Sequence, residues 1–132
     1  MLKGLLNRLF GNRGERKAAR FLRKQGFRII ARQYANRHGE IDLIARDGDS
    51  IVFVEVKTRR SDSAGLPFEA VTSEKQRKMT NTALVWLKRR GLLESRSRFD
   101  VVSILWPEDS KTPEITHYKN AFPPVGVKSM YS

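Results

Sequence analysis

Residues 39–59, GEIDLIARDGDSIVFVEVKTR, leave this chain few ways to fold. Ile41, Leu43 and Ile44 form one apolar run, and Ile51, Val52, Phe53, Val54 and Val56 form a second. Asp47-Gly48-Asp49-Ser50 between them carries the chemistry of a hairpin loop. The pattern predicts two antiparallel strands with Arg46 facing Ile51, which sets Asp42 across from Glu55 and Glu40 across from Lys57. Lys57 follows Glu55 by two residues and so lies on the same face. Charged residues are rarely set inside apolar strands without a partner or a task. Carboxylates directly opposite on a ladder have Cβ atoms roughly 5 Å apart. At an effective dielectric of about 20, charges about 4 Å apart repel by roughly 4 kcal/mol. One lysine relieves part of this. A divalent cation relieves more, and oxygen-only ligands suit Mg²⁺ or Mn²⁺.

The charge of the chain is uneven. Residues 1–46 hold twelve Lys/Arg against three acids, Glu15, Glu40 and Asp42, so +9 of the net +12 falls there. Such a face fits a polyanion, with nucleic acid ahead of an acidic membrane, although a solvated surface also accounts for an excess of charge. Phosphate contacts supply affinity without sequence information. The length of 132 residues suits one domain with a real core. No apolar run approaches the eighteen or so residues of a membrane span. The absence of cysteine excludes disulfides and thiolate metal sites, and fits a reducing cytoplasm.

Along the chain, Leu2, Leu5, Leu6, Leu9 and Phe10 form the stripe of a short amphipathic helix. Asn12 is then expected to cap a second helix over residues 13–25, stopped by Gly26. On that helix Glu15 shares a face with Ala18, Ala19 and Leu22, while the basic residues spread over the remainder. A first-turn glutamate favoured by the helix dipole explains Glu15 as well as a functional role does. Residues 27–34 read as a strand and residues 35–39 as a turn into the hairpin. His38 and His117, without metal-ligand spacing, are expected on loops or at the surface. SDSAGLP reads as a polar link. Ser73 and Gln76 form a capping-box pattern for a helix with Met79, Ala83, Trp86 and Leu87 inward and Gly91 at its end. Lys75, Gln76 and Lys78 in its first turns are candidates to face a phosphate. Residues 98–106 read as a strand in which Asp100 is either a polar insertion or half of a strand-end salt bridge, and a last strand is expected near residues 114–119.

The expected order is therefore helix, three strands, helix, one or two strands. It is an α/β fold with a mixed central sheet flanked by helices. The domain spans residues 12–122, with an N-terminal extension over 1–11 and a tail over 123–132.

Asp42 followed by Glu55-Val56-Lys57 resembles the D…(D/E)xK signature of the PD-(D/E)xK nuclease superfamily, which includes restriction endonucleases and Holliday-junction resolvases. GEIDLIARDG, FVEVKTR, Gly14-Glu15, Phe99-Asp100-Val101 and Asn120-Ala121-Phe122 are more closely similar to the YraN family of small bacterial proteins. The superfamily's proline before the aspartate is Ile41 here, and Gln33 and Ala35 stand where the family usually has Asn and Arg. The resemblance implies a restriction-endonuclease-like core. It also implies that Asp42, Glu55, the Val56 carbonyl and Glu15 bind Mg²⁺ or Mn²⁺, and that Lys57 positions water or stabilises the transition state. Arg13, Arg16, Arg37, Arg59, Lys75 and Gln76 are the candidate nucleic-acid contacts. The expectation is a metal-dependent endonuclease acting on DNA, on branched or damaged forms among others; a homodimer would suit cleavage of both strands. A non-catalytic nucleic-acid-binding module and a basic adaptor for an acidic partner are the alternatives.

Overall fold

Residues 51–56 are buried without a break, Glu55 included, so this strand must be covered on both faces. A computed structural model describes residues 2–61 and 71–126, with side chains from residue 11 onward. In chain order it contains α1 (Leu2–Lys24), β1 (Arg28–Asn36), β2 (Gly39–Asp47), β3 (Ser50–Arg59), α2 (Ser73–Arg89), β4 (Ser97–Leu105) and β5 (Glu114–Phe122). The five strands form one sheet in sequence order. All neighbours are antiparallel except β3 and β4, which α2 joins as a parallel pair. This is the expected mixed α/β sheet with flanking helices, consistent with a restriction-endonuclease-like core. The SDSAGLP link falls largely outside the described residues.

The two helices cover opposite faces. Ala18, Ala19 and Leu22 of α1 pack with Leu43, Val52, Val54, Val56 and Ile104. Met79, Ala83, Trp86 and Leu87 of α2 pack with Ile44, Ile51, Phe53, Phe99 and Phe122. Within the second core Phe53 meets Trp86 edge-on at 5.8 Å, and Phe99 stacks on Phe122 at 4.9 Å.

The helix at the N-terminus is one element rather than two. Asn12 lies inside it and caps nothing. The sequence suggests a break because Asn12 is a favoured N-cap residue, and Gly11 and Gly14 beside it weaken a helix locally by about 1 kcal/mol each relative to alanine. Gly14 has another use. A Cβ there would overlap the Thr58 side chain, so only glycine lets α1 cross this close to β3. Gly14→Ala is expected to destabilise the protein by about 1–3 kcal/mol in spite of alanine's helix preference, and Gly14→Ala/Thr58→Ala to recover most of it. Urea titration of the two variants checks this. At its other end α1 closes as expected at Gly26, whose φ of +96° suits the turn. There the Phe27 N–H reaches the Leu22 carbonyl at 3.0 Å and the Gly26 N–H that of Arg23 at 3.0 Å.

Other boundaries shift by a residue or two. Thr72, not Ser73, caps α2: its side chain accepts from the Lys75 N–H, while the Gln76 amide donates to the Val71 carbonyl. The β2–β3 turn closes over Gly48-Asp49 alone, because Asp47 pairs with Ser50; the predicted facing of Arg46 and Ile51 holds. The β1–β2 turn is equally short, with Asn36 paired to Gly39.

His117 corrects an expectation. It is no surface residue: its side chain is 8 % exposed and bonds Asp100 at 2.8 Å, against the edges of Phe21 and Phe27. Asp100, fully buried, also takes Arg98 Nε at 2.9 Å and the Asn120 N–H at 2.9 Å. Burial works to raise its pKa, but His117, Arg98 and the Asn120 N–H outweigh it and hold the carboxyl below its ordinary range. The bulge opposite Asp100 and the left-handed φ of +51° at Asn120 aim that N–H inward.

Candidate metal and phosphate site

A second aspartate has a similar setting with a different outcome. In β2, Leu43 belongs to the α1-side core and Ile44 to the α2-side core, as alternation demands. Ile41, two residues before Leu43, nevertheless lies on the α2 side, and its β1 partner Tyr34 packs there too. Both strands therefore roll over between these positions, at Asp42 and Gln33. Gln33 carries the strain, with φ at +49°.

The ladder opens at the same place. The last β2–β3 pair is Leu43 with Val54, and the predicted facing of Glu40 and Lys57 is not made: Glu40 pairs with Ala35 on β1. Alternating antiparallel bonds would give the Val56 N–H to the β2 backbone next. Asp42 Oδ2 takes it instead, at 2.8 Å. Asp42 and Glu55 are brought together as the register implies, close enough for the charge of each to bear on the other. Glu55 is 5 % exposed, and its Oε1 is 2.9 Å from Lys75 Nζ. Burial and the nearby Asp42 push Glu55 up to about 7 against the pull of Lys75. Burial raises Asp42 as well, opposed by the Val56 N–H.

Lys57 is half-buried on the same strand, and burial together with Lys75 lowers its pKa. Lys75 itself is raised, because Glu55 outweighs its own burial. Thus the cation that pairs with Glu55 comes from the first turn of α2, and Lys57 two residues further on is left with a destabilised charge.

Glu15 reaches the site from α1. Its Oε2 accepts from Gln33 Nε2 at 3.0 Å, while Asn12 Oδ1 accepts from the same amide nitrogen at 2.8 Å. Its charge contributes to raising Asp42. Glu15, Gln33, Asn12, Glu40 and Asp42 line a cleft of about 400 Å³. Glu40, Asp42, Glu55, Lys75, Lys78 and Met79 line a second of about 170 Å³. Asp42 and Glu40 form the wall between the two.

The remaining predicted contacts are scattered. Arg13 and Arg16 turn away from this site toward Trp106. Arg37 sits in the β1–β2 turn, its Nε 3.3 Å from His38 Nε2, and Arg59 ends β3. Gln76 is occupied by the Val71 carbonyl. Gln33, Asn12 and Asn36 were not singled out as site residues by sequence reasoning. Asn36 donates to Tyr34 Oη at 3.0 Å and the Thr82 carbonyl at 3.2 Å, pinning the β1–β2 turn to α2. The signal for Gln33 was its place opposite Asp42 in the β1–β2 register, invisible until that register is known.

The donors fit a hard divalent cation in kind: all are oxygens, and a cation would offset the mutual repulsion of Asp42 and Glu55. Among the described residues, no three His, Cys, Asp or Glu side chains stand gathered as a ready-made metal cage. Glu15 is directed at Gln33, and Lys75 occupies one oxygen of Glu55.

The model of the Uncharacterised protein family UPF0102 matches residues 14–104, from the glycine at the α1 crossing to the last but one residue of β4. The chain belongs to the UPF0102 family. A UPF0102 protein of Geobacter sulfurreducens is 48 % identical over 118 residues, covering 88 % of this chain and 90 % of the relative. One of Rhodopirellula baltica is 46 % identical over 128 residues, 95 % of this chain and 77 % of the relative. One of Rhodococcus jostii is 47 % identical over 116 residues, 88 % of this chain and 98 % of the relative. The UPF0102 match thus contains all four residues of the site, Glu15, Asp42, Glu55 and Lys57. No helix of the described residues is long and apolar enough to cross a membrane.

Proposed function

We propose that this UPF0102 protein binds nucleic acid and hydrolyses phosphodiester bonds, DNA being the favoured substrate, with Mg²⁺ or Mn²⁺ as cofactor. The observation that carries the reading is the pair of neighbouring carboxyls of Asp42 and Glu55, lining one cleft with raised pKa values beside a half-buried lysine. Burying acids against each other is costly for a fold and is most often met where a site uses them.

Asp42, Glu55 and the Val56 carbonyl would hold the cation, with Glu15 joining directly or through water. A bound cation lowers the pKa of water and offsets charge on the scissile phosphate. Lys57 lies on the same face as Glu55 and orients the attacking water or meets the charge that builds on the phosphoryl oxygens. Lys75 and Lys78 at the mouth of the smaller cleft receive the substrate's phosphates. Water attacks phosphorus, the bond to the leaving oxygen breaks, and that oxygen takes up a proton. No covalent intermediate is required.

Lys57→Met and Asp42→Asn are expected to lower cleavage of a labelled linear, flapped and four-way DNA panel by at least about 100-fold in the presence of Mn²⁺. Cleavage equal to wild type in both variants rejects the assignment. One observation favours a second reading, a binding module that retains the fold: Glu55 and Asp42 already have protein partners in Lys75 and the Val56 N–H. Salt-sensitive DNA binding without cleavage under any divalent ion supports that reading instead.

A further inference from the structure

The opposite flank of α1 carries a feature the proposed hydrolysis does not use. Asn12 and Glu15 face Gln33 and Asp42, whereas Arg13, Arg16, Lys17 and Arg20, spaced three and four residues apart, face Trp106. With Lys111 from the β4–β5 connection they line a cleft of about 300 Å³ that contains no acid.

The cleft has a built floor. Trp106 is 5 % exposed, its backbone N–H bonds the Arg59 carbonyl at 2.8 Å, and its indole N–H reaches the Ser110 carbonyl at 3.1 Å. The Arg13 guanidinium lies 4.4 Å above the indole, and the Lys17 ammonium lies 5.8 Å from it. The ring thus holds two cations in place despite their mutual repulsion. Being buried, it offers no face on which a base can stack. What remains for a ligand is a row of positive charge.

We infer that this cleft docks the sugar–phosphate backbone of nucleic acid, without regard to sequence and independently of the carboxylate site. From residue 13 to residue 20 the helix rises about 10 Å, the axial length of about three phosphates on one strand of a duplex. The inference shares with the proposed function only that the partner is nucleic acid; it needs neither metal nor cleavage.

The test is fluorescence anisotropy of labelled duplex DNA against the full chain in EDTA, over a series of salt concentrations. Arg16→Ala/Lys17→Ala/Arg20→Ala/Lys111→Ala is compared with a charge-matched control, Arg28→Ala/Lys88→Ala/Arg89→Ala/Arg96→Ala, drawn from exposed positions elsewhere. The cleft variant is expected to bind at least about tenfold more weakly, equally for unrelated sequences, with its log–log salt slope flattened by about 2–3, and the control to change less than about twofold. Equal losses in both variants, binding of the cleft variant like wild type, or no DNA binding by wild type would overturn the inference. So would a preference of wild type for anionic phospholipid vesicles over DNA at equal salt. Should the quadruple variant melt early, Arg16→Glu alone is read by the same slope. Wild-type binding in EDTA without cleavage of the DNA panel in Mn²⁺ rejects only the hydrolytic reading. Cleavage with unchanged binding in the cleft variant rejects only the docking cleft.

Discussion

Asp100→Ala is expected to lower the melting temperature by about 10–20 °C, from a loss of about 3–5 kcal/mol. The carboxylate is fully buried and takes four hydrogen bonds from three residues, two from Arg98 and one each from His117 and the Asn120 N–H. Alanine leaves all three facing a hole. Arg98 retains Asp47 at 2.9 Å, so the damage centres on His117 and the Asn120 amide. Asp100→Asn should lose roughly half as much, because one end of the amide must meet a donor with a donor. Thermal melts at pH 7 separate the cases, and a fall below about 1 kcal/mol for alanine would show the cluster to be dispensable. Acid gives an independent check. This carboxyl lies below its ordinary 3.8, so its contribution is present above that value and is lost as pH falls further.

Glu55→Gln is expected to act in the opposite direction and make the metal-free protein more stable at pH 8. The folded-state pKa of Glu55, about 7, exceeds its ordinary 4.5. The folded chain therefore holds this proton more tightly than the unfolded chain does. That contribution is complete below about 4.5 and disappears as pH rises through about 7. The displacement corresponds to on the order of 3 kcal/mol, shared with Asp42 because the two titrate together. Glutamine keeps an oxygen for Lys75 and never takes on the buried charge. Calorimetry in EDTA should show wild type losing stability between pH 5 and 8, while the variant loses less and finishes about 1–3 kcal/mol higher at pH 8. A variant less stable than wild type at pH 8 would mean that the Lys75 pair outweighs burial and the Asp42 charge.

These two carboxylates show what the sequence can and cannot reveal. Glu55 was legible because alternation and a short turn fix the register locally: a charge inside an apolar run, two before a lysine, has few explanations. The order of elements along the chain and both helix stripes followed from similar short-range periodicity. Asp100 was harder. Its partner His117 lies across a bulge, and the contact depends on Asn120 adopting a left-handed backbone that nothing in FDVV or HYKNAF announces. Gln33 escaped for the same reason. Asn12 was misleading because its capping preference argues for a helix start, whereas α1 runs through it and the close crossing of Gly14 over Thr58 is a tertiary demand. The basic face of α1 was visible as charge. Its division into a flank serving Asp42 and a flank serving Trp106 required the position of β4.

The sheet's one parallel pairing also sets an order of assembly. β1, β2 and β3 are joined by two-residue turns and can find one another at once, bringing Asp42 beside Glu55. The β3–β4 ladder must wait for residues 60–96 to loop out and return, and Lys75 travels within that segment. Closing such a loop spends chain entropy before any contact repays it. The cation that steadies the carboxylates thus belongs to the segment whose closure costs most chain entropy. Slower docking of α2 would expose a half-made site, acidic and without its lysine, to whatever ions the surroundings hold.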